Sequence, residues 1–250
     1  SLRLVLEQGE RYGTSNAGQG EKVNVEFVSA NPTGPLHVGH GRQATYGATL
    51  ANLLQATGHR VQREYYINDA GRQVDILTVS VWVRYLQAGG VELPFPANGY
   101  RANYVQGIGA QLRAAHGAQL QHRAATVLTG LPADAPAGDK EQYIDALIAR
   151  MRELIGAAAY EEVLELALAA MLADIREDLA AYGVEFDQWS SERALARSGA
   201  VERMLARLAE QQQTYSKDGA LWLRSSTRGD AEDRVLVRAN GQRTYFAPDL

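Results

Sequence analysis

The stretch EFVSANPTGPLHVGHGR, residues 26–42, holds the side chains whose types and spacing best suit chemistry on a phosphate group. His37 and His40 lie three positions apart in a chain with only five histidines. They follow a Pro-Thr-Gly-Pro turn, at the predicted start of a helix. A helix N-terminus offers unpaired amide donors and partial positive charge, which suit an anion. Two imidazoles there can donate to phosphate oxygens and stabilise charge that grows on a pentavalent phosphorus.

Two of the three glycines of this stretch fit the same interpretation. Gly34 permits unusual dihedral angles within the turn. Gly39 has no side chain, so a flat ring could lie against the backbone between the histidines. Taken alone, two histidines at this spacing favour the interpretation that they are ordinary residues at the start of a helix, with no functional role. A zinc pair is less well supported, because metal-binding histidines on helices prefer a spacing of four and no third ligand is evident. The context of strand, turn and helix favours the phosphate site.

The elements that must position this stretch are strands and helices in alternation. Residues 22–29 alternate in polarity and are rich in strand formers, and residues 60–67 read as a second strand. A helix is predicted from about Leu36 to Thr57, ended by Gly58, with its apolar face formed by Leu50, Leu53 and Leu54. A second helix is predicted with Asn68 or Asp69 as N-cap and an end at residues 89–90. This order predicts the opening of a parallel, doubly wound α/β sheet.

The remainder of the chain is predicted to be helical and then to return to strands. Residues 101–182 are alanine-rich and helical, with a break at residues 129–139 and a turn at Gly107–Gly109. Residues 151–182 predict one or two long helices with their core at Leu164, Leu168, Met171, Leu172, Ile175 and Leu179. The pairs Asp218-Gly219 and Asn240-Gly241 predict two hairpins with type I′ turns.

Composition narrows the class of protein. Apolar residues make up 46% and charged residues 22%, with a net charge of -4 and no cysteine. These values are typical of a globular protein in a reducing compartment, and we expect a cytoplasmic location. The sequence has no apolar run near the ~20 residues that span a bilayer and no signal-peptide pattern, so we expect no membrane association.

The block SANPTGPLHVGHGR resembles the HIGH signature of class I aminoacyl-tRNA synthetases. Together with EFVSANPTGPLH before it and REYYINDAGRQVDIL after it, the block is similar to the arginyl-tRNA synthetases. The likeness is strongest over residues 23–85 and from residue 171 onward. It implies a Rossmann-like parallel nucleotide-binding half-sheet with a helical insertion and C-terminal β-hairpins. It also implies ATP-dependent ligation of L-arginine to tRNA(Arg) through arginyl-adenylate.

The resemblance assigns roles residue by residue. ATP would lie over Gly39, and the sites implied for it are Gly34, His37, Gly39 and His40. His37 and His40 would be catalytic, and Mg²⁺ would neutralise the phosphates, with no metal-ligating residues assigned. Arginine would be held by Glu26, Ser29, Asn31, His37, Tyr245 and Asp249. Asn31 and the Ser29 region would face the α-amino end, while Glu26, Tyr245 and Asp249 would face the guanidinium. A guanidinium requires carboxylate acceptors. Citrulline is neutral, so it could not pair with the negative charge of those carboxylates.

The resemblance also predicts a domain organisation. Residues 1–22 would be an N-terminal linker, and residues 23–92 the first half of the catalytic domain. Residues 93–197 would be a mainly helical insertion, and residues 198–250 a return to the catalytic domain. No lysine lies in a KMSKS-like context, and Pro248 could tilt Asp249 away from the pocket. Both ends look cut, so we expect an incomplete chain that is weak or inactive alone. We also expect the protein to be a monomer.

Two alternatives to an arginine–tRNA ligase remain open from the sequence. One is another HxGH nucleotidyltransferase that acts on a small metabolite. The other is a non-catalytic relative that binds arginine or a nucleotide without turnover. Arginine dependence and pyrophosphate exchange would separate the three.

Overall fold

The structure is a computed structural model that describes residues 2–244 and 246–247. The chain divides into two compact units, with the boundary in the sequence after Trp189. The two units are described separately below. The helices are α1 (Leu2–Gln8), α2 (Val38–Ala56), α3 (Arg72–Ala88), α4 (Asn103–His116), α5 (Ala124–Leu128), α6 (Lys140–Ala181), α7 (Glu192–Arg197) and α8 (Ala200–Glu210). The strands are β1 (Lys22–Glu26), β2 (Arg60–Ile67), β3 (Gln188–Ser191), β4 (Thr214–Lys217), β5 (Ala220–Leu223) and β6 (Arg234–Val237).

The predicted parallel sheet is confirmed. β1 and β2 pair in parallel, from Lys22 opposite Arg60 to Glu26 opposite Glu64, and α2 connects them. The strand order is β1, β2, β3, so β2 is central. The carboxyl ends of β1 and β2 therefore lie at the same edge, where open α/β sheets gather ligands.

The predicted apolar face of α2 is wrong for two of its three leucines. Leu50 and Leu53 are exposed, by 39% and 61%, and only Leu54 packs against the core of the sheet. The buried positions are instead Ala44, Gly47 and Ala51. A Cβ added at Gly47 would lie 2.2 Å from Cγ of Phe27. Small residues face the sheet because the Phe27 ring fills the space that a larger side chain would need.

The start of α3 also differs from the prediction. Its N-cap is Gly71, with φ 89° and ψ -174°, and neither Asn68 nor Asp69 caps it. Glycine adopts this conformation readily and other residues rarely do, which explains why Gly71 is the residue at the cap position. Asp69 is buried, and the Asn68 side chain donates to Asn31 instead.

The predicted turn at Gly107–Gly109 is wrong, since both glycines lie inside α4. A Cβ at Gly109 would lie 2.6 Å from Cβ of Arg84, so Gly109 lets α4 approach α3 closely. The break at residues 129–139 is confirmed. The following helix begins at Lys140, earlier than predicted, and departs from helical geometry at Gly156, with φ 77° and ψ 166°.

Two hydrophobic clusters form the core of the first unit. The larger packs α3 against α4, α5 and α6, and includes Trp82, Leu112, Ile144 and Leu168. The smaller joins β1, β2 and α2 to the end of α6 through Phe27, Tyr65, Ile175 and Leu179. The predicted helical core is confirmed: five of its residues are buried, and the half-buried Leu172 packs on the smaller cluster.

The second unit contains an antiparallel sheet of β4, β5 and β6. The hairpin at Asp218-Gly219 is confirmed, with φ 53° and 76° as a type I′ turn requires. The turn at Asn240-Gly241 is different, because only Gly241 has positive φ. The Gly241 amide donates to Arg238 O, and the Arg238 amide donates to Gln242 O. This is a type I turn followed by a left-handed glycine, so the predicted I′ type is wrong there.

None of the helices within residues 2–244 and 246–247 is long and apolar enough to cross a membrane.

Candidate nucleotide and amino-acid site

His37 and His40 form the N-terminal cap of α2 together. His37 is the N-cap residue, and its Nδ1 accepts a hydrogen bond from the Gly39 amide at 3.1 Å. The His40 Nδ1 in turn accepts from the His37 amide at 3.2 Å. The two rings stack with centroids 3.7 Å apart. This is a capping box in which imidazoles replace the usual hydroxyl and carboxylate side chains.

The cap fixes the tautomer of both imidazoles. Because each Nδ1 accepts a backbone N–H, the proton of each neutral ring lies on Nε2. Burial lowers the pKa of His40 from its ordinary value of 6.5, and the charge of His37 lowers it further. The partial positive charge of the helix N-terminus acts in the same direction. The site therefore presents two Nε2–H donors at the end of a helix, a pair suited to phosphate oxygens.

A cleft of about 1060 Å³ lies between the end of β1 and the first turns of α2. It is lined by Glu26, Phe27, Val28, Ser29, Gly39, Arg42, Gln43, Thr45, Tyr46 and Thr49. Three predicted site residues, Glu26, Ser29 and Gly39, are thus brought together. His37 lines a separate, smaller cavity of about 230 Å³ beside Asp178 and Tyr182.

Glu26 is exposed to this cleft at the carboxyl end of β1. Among the residues that the structure describes, no hydrogen bond or ion pair occupies its carboxylate. A carboxylate in this state can accept two N–H groups from a guanidinium.

The segment after β1 has an unusual backbone. Val28 and Ser29 both have positive φ, of 66° and 41°, although neither is glycine. The Ser29 Oγ accepts from the Tyr66 amide at 3.0 Å, and the Tyr65 hydroxyl donates to Ala30 O at 3.0 Å. Burial raises the pKa of that hydroxyl to about 12, so it stays a donor. Non-glycine residues in left-handed conformations cluster at functional sites, where surrounding contacts hold them.

Asn31 does not line the cleft but belongs to a polar network at the same edge of the sheet. Its Nδ2 donates to Gln73 Oε1 at 2.7 Å, and its Oδ1 accepts from Asn68 Nδ2 at 3.0 Å. The sequence predicted Asn68 only as a possible helix cap and indicated no role for Gln73. The position of Asn68 directly after β2 was the available signal, since ligands gather at strand ends.

Helix α4 holds the turn that contains Gly34. The Tyr104 hydroxyl of α4 donates to Thr33 O at 2.7 Å. A Cβ at Gly34 would lie 3.4 Å from that hydroxyl, so the position leaves little room for a side chain. Tyr245 and Asp249, predicted to close on the guanidinium, lie outside the described residues, as does Pro248.

The described residues contain no group of three or more His, Asp or Glu side chains placed to hold a metal ion. Magnesium commonly binds through substrate phosphates and water with few protein ligands.

Comparison with known proteins shows what the chain is similar to. A family described as tRNA synthetases class I (R), catalytic domain, matches residues 1–94. An arginine–tRNA ligase of Thioalkalivibrio sulfidiphilus is 60% identical over all of this chain, which spans 43% of that relative. One of Legionella pneumophila (strain Corby) is 52% identical over 98% of this chain and 42% of its own length. The chain thus spans less than half the length of these curated relatives.

Solved structures agree. A Campylobacter jejuni structure, provisionally assigned as an arginyl-tRNA synthetase, superimposes with a TM-score of 0.73 at 27% identity, over 98% of this chain and 47% of that one. The arginyl-tRNA synthetase of Thermus thermophilus shares the fold at a TM-score of 0.59 and 22% identity, over 100% of this chain and 38% of that one.

The parallel half-sheet and the histidine cap lie in the part of this chain that is similar to the catalytic domain of class I tRNA synthetases. Over nearly its whole length the sequence is similar to the arginine–tRNA ligases named above.

Proposed function

We propose that this chain contributes the histidine-motif half of an arginine–tRNA ligase active site. In the first step, a carboxylate oxygen of L-arginine attacks the α-phosphorus of ATP. The bond from that phosphorus to the bridging oxygen breaks, and pyrophosphate leaves with the electron pair. In the second step, a ribose hydroxyl of tRNA(Arg) attacks the carbonyl carbon, and AMP leaves.

The observation that carries the proposal is the His37–His40 cap. Its two Nε2–H groups lie at the N-terminus of α2, where they can donate to the phosphates as negative charge moves toward pyrophosphate. The nucleotide would lie over Gly39, which lines the cleft. The missing Cβ of Gly39 leaves room for the His37 ring, since a Cβ there would lie 2.9 Å from His37 Cε1. Magnesium would enter with the phosphates of ATP and neutralise them.

Glu26 would pair with the guanidinium of arginine, and Ser29 and Asn31 would lie toward its α-amino end. The remaining guanidinium partners would be Tyr245 and Asp249. We propose a cytoplasmic protein, because the chain lacks cysteine and its relatives are named as tRNA ligases. We also propose that the protein is monomeric. We also propose that the 250 residues alone are weak or inactive.

Calorimetric titration with L-arginine tests the proposal, with citrulline and L-lysine as control ligands. Both this chain and the complete gene product should be titrated, and arginine-dependent exchange of pyrophosphate into ATP measured on the latter. Glu26→Gln keeps the shape of the side chain and removes its charge, so we expect it to weaken arginine binding by about 10-fold or more. Glu21→Gln, in the exposed segment before β1, is the matched control and should have no effect.

The outcomes separate the three hypotheses. Exchange that depends on arginine supports the ligase. Exchange driven by another small molecule and not by arginine would favour a different nucleotidyltransferase. Arginine binding by the complete gene product without any exchange would favour a non-catalytic relative. No arginine binding by either form would overturn the arginine assignment.

A further inference from the structure

We infer that Asn68 and Gln73 are positioning residues, which fix the orientation of the Asn31 amide so that its oxygen accepts from the α-ammonium group of the bound amino acid. The inference rests on the proposed function. It adds a reason why the site would require a free α-amino group on its substrate.

Hydrogen-bond accounting at Asn31 gives the orientation. A side-chain amide has two N–H donors on nitrogen and two lone pairs on oxygen. Asn31 uses one donor toward Gln73 Oε1 at 2.7 Å and one lone pair toward Asn68 Nδ2 at 3.0 Å. Rotating the amide by half a turn would place its NH₂ against the NH₂ of Asn68 and its oxygen against the oxygen of Gln73. Both bonds would be lost unless the amides of Asn68 and Gln73 turned as well, so the two partners couple the orientation of Asn31 to their own.

Among the residues that the structure describes, no partner takes the second oxygen lone pair and the second N–H of Asn31. Asn31 is exposed, so these groups can reach a ligand at the edge of the sheet. An ammonium group has three donors and no acceptor, which makes the Asn31 oxygen its complement. Without its two partners the amide could present either end, and half of its orientations would oppose a cation with N–H groups.

The position of Gln73 is fixed by ion pairs and hydrogen bonds of Arg72 and Asp75, which lie before and after it in the sequence. Arg72 pairs with Glu141 at 2.7 Å and with Asp145 at 2.8 Å, both on α6. Asp75 accepts from Arg152 and from the Tyr160 hydroxyl, each at 2.6 Å. These contacts tie the first turn of α3 to α6, and Gln73 lies within that turn. The helical segment thereby fixes the group that orients Asn31.

A pair of substitutions at Gln73 tests the inference. Gln73→Met keeps the length of the side chain and removes the acceptor, whereas Gln73→Glu keeps an acceptor oxygen for Asn31. The probes are L-arginine and 5-guanidinopentanoic acid, which is arginine without its α-amino group. Gln62→Met, on an exposed position of β2, is the matched control. Dissociation constants are measured by calorimetry on this chain and on the complete gene product, together with the KM for ATP.

We expect Gln73→Met to weaken arginine binding by about 5- to 10-fold, the size of one lost hydrogen bond in the network. Its affinity for 5-guanidinopentanoic acid and its KM for ATP should stay unchanged. Gln73→Glu should remain within about 3-fold of the parent, and Gln62→Met should match it. A purely structural role would instead weaken both guanidinium ligands and ATP together.

Two results would overturn the inference alone: unchanged arginine affinity in Gln73→Met, or equal losses for the two guanidinium ligands. If neither form of the parent protein binds arginine, the proposed function fails, and this inference fails with it.

Discussion

The imidazoles of His37 and His40 stack at 3.7 Å between ring centroids, and each Nδ1 accepts a backbone amide of the same helix start. The same two residues thus end the turn and begin the helix, and the proton of each neutral ring lies on Nε2. A charge on either ring would place a second N–H against a backbone donor. For His40 this effect acts in the same direction as burial, which lowers the pKa of its ring.

The first prediction concerns pH. Because the pKa of His40 is lowered in the folded state, the unfolded chain binds more protons below the ordinary pKa of 6.5. The contribution of His40 to the free energy of unfolding is therefore complete above that pH and is lost as the pH falls through the folded pKa. His40→Gln removes the titration and keeps a capping-box side chain. Between about pH 7.5 and about pH 5.5, the parent should lose more stability in urea than this variant. Equal losses would contradict the prediction.

The second prediction concerns the contact of Gly47 with Phe27. Gly47→Ala should lower the free energy of unfolding by about 1–3 kcal/mol, because its Cβ meets the buried ring. The gain in helix propensity, about 1 kcal/mol, is too small to reverse the sign. Gly107→Ala is the control, since it lies in α4 with open space around its Cα, and it should be neutral or stabilising. Urea unfolding of both variants measures the difference, and a stabilised Gly47→Ala would refute the explanation of the buried face of α2.

The third prediction concerns Tyr160. Its hydroxyl donates to Asp75 at 2.6 Å, and burial, followed by that hydrogen bond, raises its pKa. Tyr160→Phe should cost about 1–2 kcal/mol in the free energy of unfolding, because Asp75 then loses a donor in a half-buried place. Tyr12→Phe, on a half-exposed ring, should change stability by less than about 0.5 kcal/mol. If the two variants are equally stable in urea, the hydroxyl bond contributes nothing.

The local order of the fold could be predicted because its signals are local. Alternating strand formers, the Pro-Thr-Gly-Pro turn and Gly58 mark β1, the helix start and the helix end within a few residues. The Asp218-Gly219 hairpin was predictable for the same reason. The type of turn at Asn240-Gly241 was not, because it depends on how the flanking strands are registered.

Features that depend on distant residues escaped prediction. The buried face of α2 is chosen by the ring of Phe27, so counting leucines pointed to the wrong side. The network of Asn31 joins residues that lie 42 positions apart in the chain. The histidine pair could be found from sequence, but the fixed tautomers follow from amide directions that only the folded cap provides.

Gly156 interrupts α6, which contributes side chains to both hydrophobic clusters on its C-terminal side. Met171 belongs to the larger cluster and Ile175, one turn later, to the smaller. The two cores therefore share a single stretch of backbone, and opening that stretch exposes both. In amide hydrogen exchange, this shared stretch would define one slow cooperative unit, bounded by faster amides at the interruption. The 42 residues of α6 would then behave dynamically as two helical segments, of which the one after Gly156 joins the two cores.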